Sequence, residues 1–306
     1  LNQVRHRIGM LCSHAEQYYA CPTWLFSERS MSTRTSKIGG GPYPVDAHVH
    51  LHRPGLVRAV LDAAAANFTR ARPSGAGPLG YLLLTQASCE RVFETLAPEA
   101  TLGRWRLEAV TAEPESFLAR DGERTLVLVC GRQLRAEDGL EVAALGTTET
   151  FPDGLRFDES LGAVLRSGAV AAVPWGLGKW LGARGRRVSM AMGNDGLRGW
   201  FLGDSGSRCW IGAEPRLIRV GRAEGARVLV GTDPFPFGGD YRRVGSFGFL
   251  ADLELNIDRP WGSLRQWLLG LPESPPVYGH PSGPLRFLVN QVGVHLYNRL
   301  RAREPA

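Results

Sequence analysis

The stretch Val45-Asp46-Ala47-His48-Val49-His50-Leu51-His52 decides how the rest of the chain is read. Apolar and polar residues alternate through it with the period of a β-strand, whose successive side chains point to opposite faces. The alternation predicts a strand over residues 45–51. Val45, Ala47, Val49 and Leu51 share one face, and Asp46, His48, His50 and His52 share the other. Four polar groups on the inner face of a buried strand are costly unless something satisfies them. Hydrogen-bonded core histidines would do so. So would a divalent metal, because two imidazoles at i and i+2 can reach one ion. Asp46 and His52, in phase with the pair, favour the metal.

Outward from this strand, Pro54 opens a predicted helix over residues 54–68, with Leu56, Val57, Val60 and Leu61 on one face. Residues 79–85 are a continuous apolar run, as in a strand covered on both sides. Residues 88–96 read as a short helix capped by Ser88. Strands at 105–111, 125–131 and 140–145 follow one another closely and predict a small antiparallel β insert around residues 105–146. A strand–helix rhythm then returns. It has strands at 169–175, 200–203 and 227–231, and helices at 160–166, 180–190, 214–221, 241–247, 263–269 and 284–301. This alternation predicts an α/β fold, here a TIM-like (β/α) barrel. The barrel is expected to be distorted, because five or six units are visible rather than eight. Residues 42–306 read as one domain. Residues 1–41 lack a period and are expected to be a poorly ordered extension, with Met31 an alternative start.

Composition narrows the function. The chain has 306 residues, 43% hydrophobic and 22% charged, enough for a large core. It contains no apolar run long enough for a membrane span. Five cysteines, an odd number without short metal-type spacing, fit a reduced cytoplasmic protein. The net charge is +6, but residues 1–37, with five basic and two acidic side chains, hold about half of that excess. No basic run with interleaved aromatics remains, which argues against a nucleic-acid partner. A small-molecule substrate is expected, and a homo-oligomer is left open.

Asp46-Ala47-His48-Val49-His50-Leu51-His52 resembles the first-strand motif of the amidohydrolase-like superfamily of metal-dependent hydrolases. Arg227-Val228-Leu229-Val230-Gly231-Thr232-Asp233-Pro234 is similar to its last-strand motif, an aspartate after an apolar strand. The resemblance implies that His48 and His50 bind metal, and that Asp233 binds metal and takes a proton from the attacking water. It also implies a divalent cofactor, zinc first, with manganese or iron as alternatives. The family's middle-strand histidines are missing here. The seven histidines include His6 and His14 before the domain and His280 and His295 after Asp233, with none between 52 and 280. Three ligand sets follow: one metal on His48, His50 and Asp233; a carboxylate such as Asp204 in place of the missing histidines; or no metal and no activity.

Asp204 follows an apolar run and precedes a Gly/Ser turn, either at an active face or simply bonding its own turn. Arg208 would pair with it or hold an anionic substrate. Lys37 and Lys179 are the only lysines. Lys179, in a Gly/Trp loop, is expected to grip a carboxylate or phosphate. Trp175 and Trp180 beside it read as packing or as a lid. The expected function is a metal-dependent hydrolase of a small anionic substrate, acting through a metal-activated water. The alternatives are an inactive barrel serving as a binding or scaffold protein, and a PHP-type phosphoesterase, which also begins with His-x-His but uses more ligands.

Overall fold

The computed structural model describes residues 41–193 and 199–301. The extension expected over residues 1–41 and the alternative start at Met31 lie, apart from Gly41, outside the described residues. In chain order the elements are β1 (Tyr43–Val49), α1 (Val57–Ala71), β2 (Leu79–Leu84), β3 (Gln86–Ala87), β4 (Thr101–Leu102), β5 (Trp105–Ala109), β6 (Ser116–Asp121) and β7 (Arg124–Val129). Then come β8 (Gly131–Arg135), β9 (Glu141–Leu145), α2 (Phe157–Arg166), β10 (Val170–Pro174), α3 (Gly182–Gly193), β11 (Trp200–Ser205) and α4 (Arg216–Ala223). The chain continues through β12 (Val228–Gly231), β13 (Phe247–Ala251), α5 (Pro260–Gly270), β14 (Val277–Gly279) and α6 (Pro284–Arg301).

The architecture is α/β with two mixed sheets, and this corrects the expected TIM-like barrel. One sheet has eight strands in the order β14-β13-β1-β2-β7-β6-β5-β4, the other six in the order β12-β11-β10-β9-β8-β3. No closed barrel forms among the described residues. A (β/α) barrel needs each neighbouring pair parallel and joined by a crossover helix. Only α1, α3 and α4 act in this way, joining β1 to β2, β10 to β11 and β11 to β12. Many other pairs are antiparallel: β4 to β7 form a meander, β8 and β9 a hairpin, β10 lies antiparallel to β9 although α2 connects them, and β13 returns beside β1 from far along the chain. Nor are the strands around 105–146 an insert. β7 runs parallel to β2 and β8 parallel to β3, so this region lies inside both sheets.

Two other expected elements change type. Residues 88–96 are turns with a single 3-10 turn at Phe93–Thr95. Residues 241–247 give a 3-10 turn at Asp240–Arg243 and then enter β13.

Two apolar cores follow from the alternation within the larger sheet. Leu82, Leu84, Leu126 and Leu128 pack with Val57, Leu61, Ala64 and Phe68 of α1. Leu79, Tyr81, Leu83, Val127 and Val129 turn the other way, into a core shared with β10–β12 and helices α2, α3 and α5. Helix α5 is tied in by the buried carboxylate of Glu113, which accepts the amide hydrogens of Trp261 (2.8 Å) and Gly262 (2.7 Å). Those amides belong to the first helical turn, whose donors have no partner within the helix.

Candidate metal centre

The two sheets meet beside β1 and β12, and one carboxylate makes several of the bonds there. Asp46 Oδ1 accepts the Thr232 amide (2.9 Å), while Oδ2 accepts the Thr232 hydroxyl (2.6 Å) and the Gly245 amide (2.8 Å). The Asp233 amide in turn donates to the His48 carbonyl at 2.9 Å. Gly231 permits this approach, since a Cβ there would lie 2.3 Å from the His48 nitrogen. Burial pushes the Asp46 carboxyl up to about 6, against the opposing pull of these three hydrogen bonds from Thr232 and Gly245 and a fourth from the His48 amide at 3.3 Å.

Asp46 therefore does not share a face with the histidines. The register of β1 against β2 is irregular between Asp46 and Val49. Ahead of that point Val45 and Ala47 enter the core shared by the sheets; beyond it Val49 and Leu51 enter the core under α1. An extra residue in a strand reverses the phase of everything after it, so the predicted single polar face is split.

Past the bulge, His48, His50 and Asp233 converge. His48 Nε2 and His50 Nε2 are 3.2 Å apart, and each lies 3.7 Å from Asp233 Oδ1. Two of the three side chains are fixed from behind, His50 and Asp233. His50 Nδ1 donates to Glu90 Oε2 at 3.1 Å, which leaves the Nε2 lone pair facing the cluster. Asp233 Oδ2 accepts the Ser205 hydroxyl at 2.6 Å, and Ser205 is bonded in turn to the Ser207 hydroxyl. Asp233 adopts φ 48°, a left-handed conformation that aspartate tolerates better than most residues and that recurs at functional positions.

His52 plays a different part. Its Nε2 donates to the Pro234 carbonyl at 2.8 Å, and its Nδ1 lies 2.6 Å from Glu90 Oε1. The group His50, His52 and Glu90 also has metal-like spacing, but its members satisfy one another. His48 Nε2, His50 Nε2 and Asp233 Oδ1 also face one another, with a single hydrogen bond between the two rings, and a cation entering this group would replace that one bond.

Electrostatics prepares the cluster. Burial lowers His48 to about 4, so its ring is neutral at pH 7 and its lone pair is available. Burial would lower His50 as well, but the hydrogen bond and charge of Glu90, with the charge of Asp233, outweigh it and raise the group, so a cation binding here has to displace a proton from His50. Burial alone would raise Asp233; the His48 and His50 rings, the Ser205 hydroxyl and Lys179 bring it down to about 2.

The other predicted site residues lie around the cluster without joining it. Asp204 is buried, and both its oxygens are taken by Arg208, at 2.7 and 2.8 Å. Alternation at the end of β11 sends Ser205, not Asp204, toward Asp233. Lys179 pairs with Glu141 of β9, and the two charges act on His48 in opposite directions. Trp175 and Trp180 line a separate cleft of 560 Å³ with Leu177, Leu181, Leu217 and Val220. His6 and His14 lie outside the described residues.

A smaller cavity of 110 Å³ opens beside the cluster. Its walls are His50, His52, Arg53, Leu56 and Val60, with the loop from Pro234 to Tyr241. Arg53 is exposed and forms no ion pair among the described residues. Sequence reasoning missed Glu90, Ser205, Glu141 and Arg53. Only Arg53, next to His52, lay close enough to the motif to be picked out.

No family model, curated protein or solved structure matches the chain. No helix among the described residues is long and apolar enough to cross a membrane.

Proposed function

We propose that the chain is a metal-dependent hydrolase of a small anionic substrate, with one divalent cation held by His48, His50 and Asp233. The carrying observation is the convergence of His48 Nε2, His50 Nε2 and Asp233 Oδ1, with the far nitrogen of His50 fixed by Glu90. Two imidazoles and one carboxylate suit zinc, manganese or iron, and three protein donors leave positions open, as in catalytic rather than structural sites. A carboxylate behind a metal-binding histidine is the usual support for such a ligand.

A divalent cation held by these three residues would supply Lewis acidity, which would make a nearby water a proton donor near neutral pH. The chain's own groups do the rest. Glu90 keeps His50 in one tautomer. Ser205 orients the Asp233 carboxylate so that Oδ1 faces the cluster. Ionised down to about pH 2, Asp233 is a constant ligand and a weak base, so it accepts a proton only from a water made acidic. Arg53 takes the role of anion grip expected of Lys179 and Arg208, because those two cations are already matched by Glu141 and Asp204. The 110 Å³ cavity suits a small substrate.

The test is a panel of small esters, lactones, amides and phosphoesters, assayed with zinc- or manganese-supplemented protein. Hydrolysis abolished by His48→Ala supports the reading. In Arg53→Ala, KM should rise about tenfold or more for anionic substrates with kcat little changed, the signature of lost ground-state binding. Metal-loaded protein that hydrolyses nothing would leave the binding-protein reading in its place.

A further inference from the structure

Helix α6 is built the wrong way round for a surface helix, which ordinarily buries its apolar stripe and exposes its polar face. Its inward side carries Arg286, Asn290 and Gly293. Arg286 Nε donates to Asp240 Oδ1 at 2.8 Å, Asn290 is buried, and a Cβ on Gly293 would lie 2.3 Å from the Phe237 ring. Its outward side carries Leu285, Leu288, Val289, Val292 and Leu296, each between 55% and 76% exposed. The spacing i, i+3, i+4, i+7, i+11 makes a continuous seam.

The patch extends past the helix start. Trp210 and Ile211 are also exposed, and the Trp210 amide donates to the Ser282 carbonyl at 3.0 Å. The indole Nε1 of Trp210 lies 3.6 Å from where a Cβ on Gly283 would sit. At roughly 100 Å² per side chain these residues present about 700 Å², close to the ~800 Å² each partner contributes to a standard interface. A patch of that size exceeds what a monomer ordinarily leaves in water.

The seam is also self-complementary. About a midpoint between Asn290 and Gln291, Leu285 mirrors Leu296 and Val289 mirrors Val292. An antiparallel pairing of two α6 helices thus sets Leu285 against Leu296 of the second copy, and Val289 against Val292, twice over. A two-fold contact requires this, because the same patch must serve both sides. We propose that α6 is the two-fold interface of a homodimer of this chain.

The test is sedimentation velocity on the full chain over a wide concentration range, with circular dichroism to follow folding. Wild type should sediment as a dimer. Val289→Lys and Val292→Glu should each give a monomer with an unchanged melting curve, since both side chains are exposed within one copy. Mixing the two variants should restore a heterodimer, because lysine at 289 then faces glutamate at 292 across the seam. The double variant should restore a homodimer. A monomeric wild type, including one that instead binds lipid vesicles, overturns the proposal. So does a dimer that survives both single changes, or a failure of the mixture and the double variant to reassociate.

Discussion

Glu90 is the side chain that gives His50 its direction. One carboxylate oxygen holds His50 Nδ1 and the other holds His52, while Oε2 also accepts the Ala87 amide at 2.9 Å. Glu90→Gln keeps the size but offers one acceptor in place of two. It should weaken metal binding about 10- to 100-fold, as loss of such supports generally does, measured by competition with a chromophoric chelator. Unchanged affinity would remove Glu90 from the centre. His48 supplies a second prediction, read on chelator-treated protein. Its folded-state pKa is depressed to about 4, so the neutral ring's stabilising contribution is complete above its ordinary value near 6.5 and is lost as pH falls toward 4. That difference is roughly 3 kcal/mol. Asp46 works oppositely: raised to about 6, it favours the fold when protonated, so stability falls as pH rises from about 4 to 6. The two should largely cancel in wild type. His48→Gln removes one of them, so its urea midpoint should move up relative to wild type on acidification from pH 7 to 4. A constant gap between the two proteins would show that His48 is not buried as described.

At the scale of elements, the centre depends on β12 lying hard against β1, and Gly231 makes that approach possible. Gly231→Ala places a methyl on the His48 backbone. It should cost about 2 kcal/mol or more, the range for overpacked or strained positions, and should abolish metal binding. Glu113→Gln is the matched control. It weakens the N-terminus of α5, which supplies no member of the cluster, so stability should fall with metal content unchanged. Much of this level was legible in sequence. The histidine strand, the helix after Pro54, the apolar strand ending in Thr232-Asp233, and α6 all stand close to their expected bounds. The bulge in β1 was not legible, because alternation continues unbroken through Ala47-His48-Val49 and only pairing with β2 reveals the slip. β6 and β8 were hidden because Arg120, Asp121, Arg132 and Arg135 break their apolar pattern. Arg132 is nonetheless buried, paired with Glu94. Glu90 was assigned to a helix, where it would have turned away; the tight turn after β3 points it back at His50.

For the whole molecule, the mixed pairing replaces a barrel by two sheets, and the candidate centre sits where they are joined. Its ligands come from both: His48 is in β1 of the larger sheet, His50 just beyond it, and Asp233 follows β12 of the smaller one. An ion there ties the sheets together, so binding should raise the stability of the entire fold. At a free concentration of 100 times Kd the gain is about 2.7 kcal/mol, visible as a melting temperature that falls on chelation and returns when metal is restored. The most direct measurement is the metal content of protein purified without a chelating tag, wild type beside the His48→Ala/His50→Ala double variant. The account predicts about one zinc, manganese or iron per chain, lost in the variant while the fold persists. No metal in either protein after supplementation, or equal metal in both, would contradict it.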